Sequence, residues 1–175
     1  MKIIAFGGSN SSTSINKMLA TYATGLFEKA EVEILDLNDY EMPLFSVDRE
    51  KVIGQHEIAK KFLAKLAEAD VLVISLAENN GIYSVAFKNI YDWCSRIENE
   101  VFQQKPMLLM ATSPGGRGGK GVLEFANGNL PRHGGNIKAL FSLPSFYTNF
   151  DVEKRIISNP EYDNQLKEIV KNFPL

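Results

Sequence analysis

A single cysteine, Cys94, stands among the 175 residues, so no disulfide can close within the chain. That suits a reducing compartment. Histidine is as scarce: His56 and His133 lie far apart, with no second His or Cys at metal-ligand spacing, and no metal is expected. Basic charge is not in excess. Nineteen Lys and Arg face 21 Asp and Glu, a formal net charge of −2, which removes the electrostatic footprint of a nucleic-acid binder. No apolar run is long enough to span a bilayer. The chain enters a strand at Lys2 without the charged and then apolar leader of a secreted protein. The expectation is a cytoplasmic protein that binds neither nucleic acid nor membrane. No Gly-x-Ser-x-Gly elbow argues for a hydrolase. Gly116–Lys120 approaches a nucleotide P-loop, but Pro114 takes the place of its first Gly and Gly121 that of its Ser or Thr.

What is present begins at the first residues. Lys2–Phe6 is a short apolar, β-favouring run that stops at Gly7-Gly8. Ser9–Asn16 follows, rich in hydroxyls and amides and free of acidic side chains. From Ile15 the apolar residues recur as Ile15, Met18, Leu19, Tyr22, Ala23, Leu26 and Phe27, one stripe of an amphipathic helix. The order is strand, polar loop, helix N-terminus. A helix N-terminus presents unpaired N–H groups and a partial positive charge, a seat for a phosphate. The plainer reading is that Ser12, Thr13 or Ser14 only caps the helix. One cap needs one hydroxyl, and the loop carries five.

Further along, strands are expected at Val32–Leu37, Val71–Leu76, Pro106–Ala111 and Asn136–Phe141. Helices are expected near 52–67, 85–96, 120–130 and 161–173. Val71–Leu76 is apolar at consecutive positions, as in a strand covered on both faces. Regular alternation means βαβ units and a parallel sheet. The expected fold is α/β, a flavodoxin-like doubly wound five-stranded parallel sheet of order 2-1-3-4-5 with helices on both faces. It forms one domain over residues 1–175. Three unusual loops, after strands one, three and four, then fall on one sheet edge, beside the switch point where such folds bind ligands.

Three stretches carry a family resemblance. Gly8-Ser9-x-x-x-x-Ser14-x-Asn16 resembles the phosphate loop of the NAD(P)H-dependent FMN reductase family. Glu78-x-Asn80-Gly81, followed by Lys88-Asn89-x-x-Asp92-Trp93, is similar to its flavin-ring loop and the helix after it. Ser113-Pro114-Gly115-Gly116-x-Gly118-Gly119 is similar to its third loop. The resemblance reaches to about Phe141. It implies an FMN-dependent oxidoreductase that takes a hydride from NADPH or NADH and passes electrons to a small acceptor. That acceptor would be free flavin, a quinone, an azo compound or a metal oxyanion. It also implies a homodimer or homotetramer. Alternatives are an FMN-binding electron carrier without direct NAD(P)H use, and a family member with weakened flavin binding.

By position, the resemblance puts FMN phosphate on Ser9, Ser11, Ser14, Ile15 and Asn16. It puts the flavin ring along Leu76, Ala77, Glu78, Asn79, Asn80 and Gly81, and the far side near Ser113, Gly115 and Gly116. No side chain is nominated as catalytic. Four positions depart from the family pattern. Ser11 replaces an Arg, which removes a charge-assisted phosphate contact. Ala77 replaces a Pro, Asn79 a Tyr, and Ser84 a Pro. Asn79-Asn80-Gly81 also reads as a plain turn. Glu78 reads equally as a solvated charge or a cap. Tyr83, Trp93, Phe146 and Tyr147 could line the opening or fill the core.

Overall fold

The carboxyl end of the first strand sets the architecture. Strand β1, Lys2–Gly8, is buried from Ile3 onward and ends in two glycines. A Cβ built on Gly7 would lie 2.4 Å from the backbone N of Lys17. Only a hydrogen there lets helix α1, Ile15–Thr24, settle its first turn onto the strand. Ser14 caps that helix, its Oγ accepting from Lys17 N at 3.1 Å.

The computed structural model describes residues 1–174. After α1 the chain runs through β2, Glu31–Leu35, and a 3-10 turn at Leu37–Tyr40 opened by Asp36. Helices α2, Val47–Ile53, and α3, Glu57–Ala67, lead into β3, Val71–Leu76. A two-residue hairpin, β4 Glu78–Asn79 and β5 Ile82–Tyr83, precedes α4, Val85–Ser95. Strand β6, Pro106–Thr112, α5, Lys120–Asn129, and β7, Asn136–Leu143, complete the sheet. Short helix α6, Phe146–Asn149, hairpin β8 Phe150–Asp151 and β9 Ile156–Ile157, and α7, Pro160–Lys171, close the described chain.

The large sheet is parallel in the order β2-β1-β3-β6-β7. Apart from the two small hairpins, this is the 2-1-3-4-5 order expected from the sequence. Side-chain alternation divides the core into two layers. Ile4, Phe6, Leu72, Ile74 and Leu109 face Phe62, Phe87, Trp93 and Val122 of α3, α4 and α5. Ile3, Ala5, Val71, Val73 and Met110 face Leu19, Ala23, Leu166 and Val170 of α1 and α7. Cys94 is fully buried, and burial pushes its thiol up to about 12. It packs as a small apolar side chain.

One expected helix is corrected. The span 52–67 is two helices, parted at Gly54, whose φ of 70° ends α2. His56 Nδ1 then caps α3 by accepting from Ile58 N at 3.2 Å. Ser46 starts α2 before Val52, and no residue of α2 is buried, so the core stripe of α3 does not extend back through it. The expected second strand also stops at Leu35, because Asp36 turns the chain. Between Ser142 and Phe150, expected as irregular, β7 runs on to Leu143 and α6 follows.

Replacing Gly7 by Ala should cost about 1–3 kcal/mol, the usual penalty for overpacking against backbone that cannot yield. Urea unfolding measures it; an unchanged midpoint would mean that α1 can lift from β1 at no cost.

Candidate functional site

Where β1, β3 and β6 end, a cleft of about 220 Å³ opens. It is lined by Ser9, Ser11, Thr13, Ser14, Ile15 and Asn16 from the first loop, by Ala77, Glu78 and Asn79 from the second, and by Thr112, Ser113 and Pro114 from the third. Tyr147, 67% exposed, stands at its rim. The three loops singled out in the sequence therefore converge on one opening.

The floor is built from buried polar groups. Asn16 is 3% exposed. Its Oδ1 accepts from Ser75 Oγ at 2.8 Å and from Thr112 N at 3.0 Å, while its Nδ2 donates to Thr112 O at 3.2 Å. That side chain ties α1 to β3 and β6, which commits its oxygen and one of its two amide hydrogens within the fold. What faces outward is backbone. Among the described residues, the amides of Ile15 and Asn16 have no acceptor, as expected of the first turn of a helix. The loop is already folded: Ser9 Oγ accepts from Ser11 N at 3.1 Å and Ser11 Oγ from Thr13 N at 3.3 Å. Free amides at a helix end with exposed hydroxyls beside them fit a phosphate monoester.

Charge near the loop is already spent. Lys17, the first cation after it, pairs with Asp36. That bond holds the Asp36 carboxyl below its ordinary range. No charged side chain lies within Ser9–Asn16 itself.

The second loop divides its roles. Glu78 reaches across to α5, where its Oε2 accepts from Val122 N at 2.9 Å. Helix α5 opens on Gly119, which offers no side-chain cap, and Glu78 provides one from a distant strand end. Asn80 and Gly81, with φ of 53° and 83°, form the hairpin tip and do not line the cleft. Leu76 is buried in β3. Gly115 and Gly116 sit in an exposed turn outside the cleft. Gly118 and Gly119 are the glycines this loop needs: both are left-handed, and a Cβ built on Gly118 would lie 2.5 Å from Ser142 Oγ.

The Lys88-Asn89-x-x-Asp92-Trp93 run supports the site from behind. Asn89 Oδ1 accepts from Phe45 N at 2.8 Å and its Nδ2 donates to Met42 O at 3.0 Å. Trp93 Nε1 donates to Pro43 O at 2.8 Å. Ser84 caps α4 and donates to Gly8 O at 2.7 Å, joining that helix to the end of β1. Of the four aromatics considered, Tyr83, Trp93 and Phe146 are core residues, and Tyr147 alone lines the cleft. Thr13, Thr112 and Pro114 also line it; the resemblance assigns none of them to the flavin, although each lies at one of the three loops.

A doubly wound parallel sheet with an anion-accepting loop at its switch point defines the flavodoxin-like class. The model of the NADPH-dependent FMN reductase family matches residues 1–140, and the chain belongs to that family. It is 29% identical to an NADPH azoreductase of Bacillus sp. (strain OY1-2), over 74% of this chain and 68% of that one. It is likewise 29% identical to an NADPH:quinone oxidoreductase of Arabidopsis thaliana, over 69% of this chain and 62% of that one. The match therefore spans about two thirds of each relative's length. In three dimensions it is similar to FerB, a flavoenzyme NAD(P)H:(acceptor) oxidoreductase from Paracoccus denitrificans. The TM-score is 0.75 at 20% identity, with 98% of this chain and 94% of that one covered, which establishes the shared fold.

Asn16→Ala should strip partners from Ser75 and Thr112 and destabilise the protein by about 1–3 kcal/mol, the cost of unsatisfied buried groups. A thermal or urea denaturation curve overlying that of the parent would show the network to be dispensable.

Proposed function

We propose that this protein holds FMN in the three-loop cleft and uses NADPH or NADH to reduce small acceptors. The observation that carries the reading is the convergence of all three loops on the free first-turn amides of α1. The family membership supports the same cofactor.

The residues present fit that group. Ile15 and Asn16 amides, with Ser9, Ser11 and Thr13 hydroxyls, would hold the phosphate. Ala77, Glu78, Asn79 and Ser113 would border the ring, with the Asn80-Gly81 tip shaping the hairpin. Leu76, Gly115 and Gly116 would contribute through backbone position. When bound, FMN supplies two-electron acceptance and onward delivery, chemistry that belongs to the cofactor. The chain's part is to bind, orient and leave one face open. Asn79 is exposed and could meet the ring edge with either donor or acceptor. Tyr147 at the rim offers a flat apolar face to an acceptor or a nicotinamide. Quinones, azo compounds, free flavin and metal oxyanions are the acceptor classes we assign. We take the whole chain as one flavin-binding unit.

Calorimetric titration should show FMN binding tighter than FAD, because the loop seats a terminal phosphate. Mixing the FMN-loaded protein with NADPH or NADH should bleach the flavin promptly, and a quinone should restore its colour. Binding without bleaching would instead indicate an electron carrier, and no binding would reject the reading.

We also propose a cytoplasmic homodimer or homotetramer with α4 at the contact. Among the described residues, no helix is long and apolar enough to cross a membrane. Leu44, Val47, Val52, Ile53 and Val85 are large apolar side chains left exposed on α4 and the segment beside it. Val85→Glu should shift the protein to monomers in sedimentation velocity. A parent protein that is already monomeric would remove the proposal.

A further inference from the structure

The phosphate loop has no cation of its own, and Lys17 is committed to Asp36. A neutral loop can bind a phosphate dianion, but a guanidinium alongside strengthens the contact. Along α1 lies a groove of about 410 Å³, lined by Ser12, Ser14, Lys17, Thr21 and Tyr22 and, from outside the helix, by Arg155. Ser14 lines both this groove and the three-loop cleft, so the two flank the same helix cap. Arg155 is carried on the turn between β8 and β9. Its neighbours are paired among themselves: Lys154 with Asp151 at 3.4 Å, and Lys167 with Asp163 at 2.6 Å. Among the described residues no carboxylate lies within ion-pair distance of Arg155, and its side chain is exposed.

We propose that Arg155 supplies, from a segment outside the region matched by the family model, the guanidinium that the loop lacks at Ser11. The inference rests on the FMN reading above and adds to it. Arg155 would reach over the groove toward a phosphate seated on the α1 amides, with Ser12 and Ser14 between them. Its fork geometry suits two phosphate oxygens at once. It is a binding residue and takes no part in electron transfer. The site would then be closed by the C-terminal hairpin rather than by the loop alone.

The test compares FMN with riboflavin, which has the same ring and no phosphate, by fluorescence titration of the parent, Arg155→Ala and Arg155→Lys. For Arg155→Ala the FMN dissociation constant should rise about tenfold or more, the range of a charge-assisted contact. Riboflavin binding should stay within twofold of the parent. Arg155→Lys should fall between the two for FMN. Added salt should weaken FMN binding more in the parent than in Arg155→Ala. Thermal melting should not move, since the side chain is exposed. An FMN constant within twofold of the parent in Arg155→Ala overturns the inference and leaves the FMN reading standing. Equal losses for both flavins also overturn it, by making the residue structural. A parent protein that binds FMN no tighter than riboflavin rejects the phosphate site itself, and the role of Arg155 with it.

Discussion

The seating of α1 on the end of β1 is the constraint from which the site follows. Two features impose it from opposite directions. Gly7 removes the only atom that would hold the helix away, with Lys17 N lying 2.4 Å from where a Cβ would stand. Asn16 pulls the helix in, through hydrogen bonds to Ser75 Oγ and to both backbone groups of Thr112. The first turn of α1 is thereby fixed to the ends of β3 and β6, the strands that carry the other two loops. Once that turn is placed, Ile15 and Asn16, whose amides find no acceptor among the described residues, lie in the wall of the opening between the loops.

Electrostatics around that turn is arranged with little formal charge. Asp36 sits at the end of β2, beside the loop, and alone it would repel an anion. Lys17 cancels it. The sign of the effect on stability follows from the depressed carboxyl of Asp36. The stabilisation is present above the ordinary carboxylate range and fades as pH falls through the lowered value. Near neutral pH the pair is intact, and the helix end keeps its field unopposed. Glu78 solves a similar problem at α5, where a carboxylate meets a helix amino end and is satisfied there. Its carboxylate is engaged at that helix end, while the residue still contributes to the lining of the cleft.

Much of this was legible in the sequence, and the reasons differ by element. Val71–Leu76 and Pro106–Thr112 are apolar on consecutive positions because both faces are covered, so the central strands announce themselves. The loop before α1 was legible because its hydroxyls exceed what one cap needs. The break at Gly54 was not, because apolar residues on either side masked a helix with no buried face. Glu78 and Val122 stand 44 residues apart, and nothing local in either marks the bond. Asn16 is assigned to the phosphate by position, and its side chain ties three elements together. A polar residue at the start of a helix looks the same in both roles until its burial is known.

The same point explains why the motif residues with the most distinctive spacing do not touch the cleft. Asn89 and Trp93 bind backbone groups of residues 42–45, and Ser84 binds Gly8 O. Each holds a connecting segment that has no regular structure to satisfy its own backbone. A loop cluster at a sheet edge must be held this way, since its amides and carbonyls have no ladder to join. Side chains able to donate and accept at fixed spacing are therefore required behind the site, and unpaired backbone amides are left at its surface. That division suits a protein whose reactive chemistry resides in a bound group. The chain's contribution is then the seat itself, built from side chains that fix the loops from behind.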